Sequence, residues 1–236
     1  MSEIAARRWL RRGLATFAAT LLATTVSAQE SDPVARMPVW EASGSVGLHN
    51  IRASDLPSGR DSTYDYWEAQ WEPGAQVGRY VTTHLKIEIG VRGPMQYDFY
   101  ETVRVPAPAL PGGFATTYVD RDVRLFSFAP AITWQFLENS FVHPYLSAGV
   151  AMDVSDVHRF REAGPESIVQ SRSTVRYDVP GIDTRETVAN ARPFLAAGSK
   201  SYFSDGRWFV RPEIQVGIAK SRIGQVSLRL GVGVDF

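Results

Sequence analysis

The chain has 236 residues, equal numbers of acidic and basic side chains (25 of each) and no cysteine. The balanced charge gives no indication of nucleic-acid binding, and without cysteine neither a disulfide framework nor a thiolate metal site can form. Beyond the first thirty residues, no apolar run approaches the roughly 18 residues of a membrane helix. A membrane-crossing strand shows lipid only every second side chain, so this composition remains compatible with a β-barrel.

The amino terminus has the organisation of a secretory signal peptide. Residues 7–12 contain four arginines, Leu14 to Val26 form a short apolar run, and Val26-Ser27-Ala28 matches the small-x-small cleavage pattern. We expect cleavage near Ala28 after export by the general secretory route. Residues 1–28 are then the signal peptide, residues 29–38 a short periplasmic leader, and residues 39–236 the folded domain.

Alternating apolar and polar residues predict eight strands in residues 39–236. The clearest is the last, in which every second residue from Val226 to Phe236 is apolar. Its length is about the 9–11 residues that a tilted strand needs to cross a bilayer. The pattern does not assign the faces of the sixth strand. The predicted strands are Val39–Ile51, Thr63–Tyr80, Leu85–Arg92, Asp122–Phe136, Pro144–Asp156, Arg192–Phe203, Trp208–Lys220 and Val226–Phe236.

The connections between the predicted strands alternate in length. Short turns follow the second, fourth and sixth strands, whereas the longest connections are Gly93–Arg121, whose flanks still favour strand, and Val157–Ala191. Outer-membrane barrels have short periplasmic turns and longer external loops. A soluble β-sandwich is the alternative, but it would not need this alternation. Five aromatic residues lie at the predicted periplasmic strand ends, where girdles form: Trp40, Phe136, Phe203, Trp208 and Phe236.

These features resemble the outer-membrane protein β-barrel domain family, the small eight-stranded barrels of OmpA/OmpX type. Pro144–Val150, Phe203–Phe209 and the terminal strand carry the resemblance. It implies an all-β fold, an eight-stranded antiparallel up-and-down transmembrane barrel in the bacterial outer membrane. It also implies contacts with outer-membrane lipid and lipopolysaccharide, periplasmic chaperones and the barrel-assembly machinery, and we expect a monomer that binds no nucleic acid. The assembly machinery would recognise a carboxy-terminal signal formed by Leu228, Leu230, Val232, Val234 and Phe236.

The polar face of the strands predicts a filled lumen. An eight-stranded barrel is just wide enough for its own side chains, and buried charges are costly unless they are paired. We therefore expect ion pairs to fill the interior, with a polar path for a small solute as the alternative. The predicted lumen network consists of Glu41, Glu68, Lys86, Glu88, Arg92, Asp153, Arg211, Glu213 and Arg229.

The sequence contains no convincing catalytic or metal motif. The histidines at positions 49, 84, 143 and 158 are scattered, without His-x-x-x-His spacing, and no Gly-x-Ser-x-Gly elbow occurs. We therefore expect no enzyme, no cofactor and no metal. A lipid-modifying enzyme remains the least favoured alternative, because catalytic triads assemble in space. It would require Ser or Asp beside His at the outer rim.

Two other classes of function remain open. The first is a structural or surface-interaction role for the outer loops, since binding commonly resides on loops held by a rigid scaffold. In these loops Tyr97, Phe99, Tyr100 and Phe114 form either a contact patch or the packing of a hairpin. The second is transport of small solutes or hydrophobic molecules, which a lateral opening lined with apolar residues would favour.

Overall fold

The computed structural model describes residues 39–56, 66–110, 112–136, 141–170, 173–203, 206–219 and 222–236. The predicted signal peptide and leader lie outside them. No helix in this part of the chain is long and apolar enough to span a membrane. The elements are β1 (Trp40–Arg52), a 3₁₀ helix (Ala53–Asp55), β2 (Trp67–Tyr80), β3 (Leu85–Pro106), β4 (Phe114–Gln135), β5 (Val142–Arg161), β6 (Gly164–Gln170), β7 (Ser173–Val179), β8 (Ile182–Phe203), β9 (Trp208–Ala219) and β10 (Arg222–Asp235).

Eight strands close into an antiparallel barrel in the order β1-β10-β9-β8-β5-β4-β3-β2. Every barrel strand therefore pairs with its neighbours along the chain, and β1 pairs with β10 to complete the ring. The amide of Trp40 donates to the carbonyl of Phe236 (2.8 Å), and the amide of Phe236 donates to the carbonyl of Trp40 (2.9 Å). Closure gives every barrel strand a hydrogen-bonded neighbour on both sides over at least part of its length. The predicted eight-stranded up-and-down barrel is confirmed.

Side chains alternate between the lumen and the outer wall, because successive residues of a strand point to opposite faces. In β4 the alternation is almost unbroken from Phe114 to Gln135. Its outward residues include Phe126, Phe128, Ile132 and Trp134, all exposed. The last strand follows the same rule, with Leu230, Val232 and Phe236 exposed and Leu228 and Val234 half-buried.

The two connections predicted to be long loops are mostly strand, which corrects the predicted boundaries. β3 continues to Pro106 and β4 begins at Phe114, while β5 continues to Arg161 and β8 begins at Ile182. The second connection also contains the hairpin β6–β7, a separate two-stranded sheet. The other strand ends within the described residues differ from the predicted ends by only a few positions.

A β-bulge explains why the first of these extensions does not show in the sequence pattern. The β3–β4 register shifts between Arg92 and Met95. Lys86, Glu88 and Arg92 face inward before the shift, and odd-numbered residues such as Met95 face inward after it. Gly93 makes this possible because its φ of +102° is rarely adopted by other residues, and a Cβ there would lie 2.6 Å from the carbonyl oxygen of Leu125.

Candidate functional site: a filled lumen beneath a projecting sheet

The lumen near Trp40 and Phe236 is organised around the carboxylate of Glu41. This side chain is fully buried and accepts hydrogen bonds from Lys86 (2.7 Å), Lys200 (3.0 Å) and Arg211 (3.1 Å), which come from β3, β8 and β9. Lys200 also donates to Asp235 (2.9 Å), so a second carboxylate shares its charge. Three cations on one carboxylate compensate the desolvation that burial imposes on it.

A second group of ion pairs lies beside the first and shares Arg211 with it. Arg211 contacts Glu88 (3.2 Å) and Glu213 (2.7 Å), and Arg229 contacts both Glu213 and Glu72, the latter at 3.1 Å. Bidentate contacts of this kind are among the strongest hydrogen bonds in proteins. A continuous chain of contacts therefore joins Glu72 of β2 to Glu88 of β3 by way of β10 and β9, which supply Arg229, Glu213 and Arg211.

The charges of this interior are balanced. The buried lumen set contains six cations and six carboxylates, each within ion-pair distance of an opposite charge. Such a set carries no net charge, so it does not favour the passage of ions of one sign over the other. Its members are Lys86, Arg92, Arg192, Lys200, Arg211 and Arg229, and Glu41, Glu72, Glu88, Asp153, Glu213 and Asp235.

The ion pairs include eight of the nine residues predicted from sequence. The ninth, Glu68, is half-buried near the start of β2 and makes no ion pair within the described chain. The prediction missed Glu72, although it continues the inward parity of β2, and Asp235, which continues that of β10. It missed Lys200 and Arg192 because Ala, Gly and Ser residues of β8 hide the alternation.

Above the ion pairs, an apolar cluster closes the lumen. The chain turns inward after β1, and the 3₁₀ helix and the residue after it place Ala53 and Leu56 in the mouth of the barrel, where β1, β3, β4 and β5 supply the remaining members. The Nδ1 atom of the buried His49 shares a hydrogen bond with the hydroxyl of Tyr97 in this cluster. The cluster, called the apolar plug below, consists of Ile51, Ala53, Leu56, Met95, Tyr97, Phe99, Val123, Leu125 and Val157.

A four-stranded sheet projects beyond the mouth of the barrel. β3, β4, β5 and β8 continue beyond the lengths over which β3 pairs with β2 and β8 pairs with β9, so that Met95–Pro106 pairs only with β4 and Ile182–Pro193 only with β5 in the described structure. The projecting sheet therefore has two strand edges without a neighbour among the described residues. Such edges can pair with another extended chain.

The candidate aromatic patch of the outer loops divides between two environments. Tyr97 and Phe99 are buried in the apolar plug and therefore pack the hairpin, as one of the two interpretations proposed. Tyr100 and Phe114 point outward from the projecting sheet and are exposed. The bulge at Gly93 causes this division, because it turns odd-numbered residues of β3 inward.

The hairpin β6–β7 packs against the tip of the projecting sheet. Tyr177 and Val179 contact Val105 and Ala115 in a small apolar cluster. Beside it, the carboxylate of Glu166 accepts hydrogen bonds from Thr117 (3.1 Å), Tyr177 (2.9 Å) and Arg161. Partial burial acts to raise the pKa of Glu166, but the hydrogen bonds from Arg161, Tyr177 and Thr117 outweigh it and hold the pKa below its ordinary value of 4.5.

We expect the docking of this hairpin to depend on pH. A carboxylate whose pKa is lowered by folding contributes stability that is complete above its ordinary pKa of 4.5 and is lost as the pH falls through the lowered value. The NMR signals of the Tyr177 ring should therefore be constant from neutral pH to about 5 and change below about 4.5. Glu166→Gln should loosen the hairpin at every pH without this titration. If the wild-type hairpin stayed docked at pH 2, the ionised Glu166 carboxylate would not be what holds it in place.

A seam separates the upper halves of β2 and β3. Their pairing stops at Gly74 and Arg92, although both strands continue past it. The Tyr66 hydroxyl lies 3.3 Å from the Tyr100 amide and accepts its hydrogen bond at the far end of the seam. Met95 of the apolar plug lies on β3 directly beyond the last paired residue. The seam is an interruption of the backbone pairing in the wall, and a lateral opening lined with apolar residues at this place would favour the transport interpretation.

The histidines do not form a metal site. No group of three potential metal ligands occurs in the described part of the chain. His84 stacks on Trp134 and His143 meets the edge of Tyr202. His158 lies on the outer face of the projecting sheet, with Nε2 2.9 Å from the carboxylate of Asp183. This is an acid beside a histidine at the outer rim, but Asp183 is exposed, unlike the water-excluded acid of a catalytic triad.

No family model matches the sequence, and no curated protein matches it. Among solved structures the chain is similar to the attachment invasion locus protein Ail of Yersinia pestis (12% identity, 84% of this chain and 99% of that chain, TM-score 0.46) and to Neisserial surface protein A (12%, 84% and 96%, 0.48). It is also similar to the outer membrane protein OprG from Pseudomonas aeruginosa (8%, 84% and 97%, 0.47). The resemblance to small eight-stranded outer-membrane barrels is confirmed as a likeness of architecture.

Proposed function

We propose that this chain is an integral outer-membrane barrel with a closed lumen, and that its role is to present the projecting sheet for interactions at the cell surface. The outer wall supports the membrane location. It carries a continuous belt of exposed apolar side chains, which in a water-soluble protein would be an aggregation hazard. Charged outward residues lie at the ends of this belt, for example Arg79 and Arg207 at one end and Arg124 and Asp122 towards the other.

The single observation that carries the surface role is the unequal length of the strands. Four of eight strands extend well past the others, and a barrel that only anchored itself or only filled the membrane would not need this extension. The extended strands also hold exposed aromatic residues and unpaired edges, which are the usual means of binding an extended partner chain. The proposed role is not catalytic.

The experiment compares cells that display the full chain with cells that display a shortened barrel. In the shortened form, tight turns join β3 to β4 at Tyr100 and Asp120 and join β5 to β8 at Arg159 and Thr184, which are directly paired residues beyond the apolar plug. We expect the full chain to increase cell–cell aggregation and adhesion to immobilised matrix proteins, and the shortened barrel to lose this increase. Equal surface amounts of both proteins are the control, and equal adhesion would reject the proposal.

Transport is the second candidate, and the seam between β2 and β3 is the observation that favours it. Single-channel recording of the refolded chain in planar bilayers tests it, with Glu88→Gln and Arg229→Gln as variants that remove lumen charges. If the ion pairs and the apolar plug close the lumen, we expect no single-channel current, because an eight-stranded barrel has no room beyond its own side chains. Steady openings that change in the two variants would favour transport instead.

A further inference from the structure

The outer wall of the barrel contains a groove between β2 and β3, at the end that carries Trp40 and Phe236. Val77 of β2, Val81 just after it, and Ile87 and Ile89 of β3 line the groove with exposed apolar side chains. Trp40 of β1, the neighbour of Arg79 in the strand register, also lines it. The groove belongs to the apolar belt, so its occupant in a membrane is a hydrocarbon chain rather than water.

A single cation stands at this groove. Arg79 points outward, and its guanidinium carbon lies 5.5 Å from the ring centroid of Trp40. No carboxylate within the described chain forms an ion pair with Arg79. Going up β2 from Arg79, the outward side chains are apolar: Val77, Ala75, Pro73, Trp71, Ala69 and Trp67. The guanidinium therefore offers free donors at the mouth of an apolar groove.

The position of Arg79 along the barrel coincides with the level of lipid phosphates. Arg79 is paired with Trp40 at one end of the β1–β2 strand pair. At the other end Arg52 is paired with Trp67, and its guanidinium carbon lies 5.4 Å from the centroid of that ring. β1, which joins the two levels, has 13 residues. At about 3.3 Å per residue and a tilt of about 40°, it spans about 30 Å, the thickness of the hydrocarbon core.

We propose that this groove is a binding site for one anionic glycerophospholipid of the periplasmic leaflet. Its phosphate lies on the guanidinium of Arg79, and one acyl chain lies along Val77, Ile87 and Ile89. Arginine suits this role because its planar fork of donors matches a phosphate and it is more weakly hydrated than lysine. Trp40 packs against the arginine and holds it at the interface, the usual place for tryptophan. The assignment rests on the proposed membrane location.

The test is native mass spectrometry of the folded chain released from detergent. The detergent contains equal amounts of phosphatidylglycerol and phosphatidylcholine with identical acyl chains, and lipid A is added in a separate arm. We expect one phosphatidylglycerol to be retained, and Arg79→Gln to lower its retention about tenfold, the effect of one charge-assisted hydrogen bond. Arg52→Gln is the matched control, because it removes the stacked arginine at the opposite end and should leave retention unchanged.

Several outcomes would overturn the proposal. If Arg79→Gln retained as much phosphatidylglycerol as the wild type, the headgroup would not be held at Arg79. If Arg52→Gln lost as much phosphatidylglycerol as Arg79→Gln, the loss would be a general effect of surface charge. Displacement of phosphatidylglycerol by lipid A at Arg79 would assign the groove to the other leaflet. Failure of the wild-type chain to fold in vesicles would instead reject the membrane location. Folding without lipid retention would reject only the lipid site.

Discussion

Replacing Glu41 with glutamine should lower the free energy of unfolding by about 3–5 kcal/mol, because it leaves three buried cations with too little negative charge. Lys86, Lys200 and Arg211 all contact this carboxylate, and Lys200 itself is fully buried. Glutamine keeps the size of the side chain, so the effect measures charge rather than packing. The measurement is an equilibrium urea titration of the barrel folded in phosphatidylcholine vesicles, followed by tryptophan fluorescence.

Glu162→Gln is the matched control for this experiment. It makes the same chemical change at an exposed residue between β5 and β6, where we expect less than about 0.5 kcal/mol. A change below about 1 kcal/mol in Glu41→Gln would mean that the cations find other partners. Asp235, which already contacts Lys200, would then be the first to examine.

Replacing Leu125 with aspartate should prevent stable folding, with a loss of at least about 4 kcal/mol. Leu125 is fully buried in the apolar plug, whose other members are uncharged, so a carboxylate there would lose its hydration without gaining an ion pair inside the cluster. Whether the barrel has formed is measured by heat modifiability, the difference in electrophoretic mobility between unheated and heated samples, and by protection from trypsin in vesicles.

The neighbouring strand supplies the control. Gln96→Asp introduces the same carboxylate on β3 at an outward, exposed position, and this variant should fold like the wild type. If Leu125→Asp also folded normally, the mouth of the barrel would be open to water, and the closed lumen would have to be abandoned.

The sequence predicted the barrel well because closure imposes a strict rule on side chains. Each barrel strand must show one face to lipid and one to the lumen, and this rule is visible directly in β10, where Leu228, Leu230 and Val232 alternate with polar or small residues. The order of the strands then follows from antiparallel neighbours joined by hairpins. The predicted carboxy-terminal assembly signal stays a prediction, as do the predicted chaperones and the assembly machinery.

The β3 part of the projecting sheet was obscured in the sequence by one residue, Gly93. A two-residue period predicts faces only while the register is constant, and the bulge at Gly93 moves Tyr97 and Phe99 to the opposite parity. The sequence therefore predicted a long connection whose flanks favour strand, without the inward and outward faces of the extended hairpin. The bulge could have been predicted from the glycine followed by proline at positions 93 and 94, because such residues interrupt an alternating strand pattern.

The partners within the lumen could not be derived from the sequence. Which cations come within contact distance of Glu41 depends on how far neighbouring strands are staggered. This stagger is a property of the closed ring. The weak phase of β8 had a different cause. Ala196 and Gly198 face the lumen between Arg192 and Lys200, and small residues on both faces leave no contrast between them.

The contacts of Glu41 link residues that are synthesised far apart. Arg211 follows Glu41 by 170 positions and Lys200 by 159, so the contacts of Glu41, which Lys86 of β3 begins, are complete only when β8 and β9 are in place. A half-inserted intermediate would carry uncompensated charges into the hydrocarbon, which is highly unfavourable. Insertion and ring closure are therefore expected to be a single cooperative step with a high kinetic barrier. The same barrier slows the reverse reaction, so the finished barrel should persist far longer than its equilibrium stability alone would suggest.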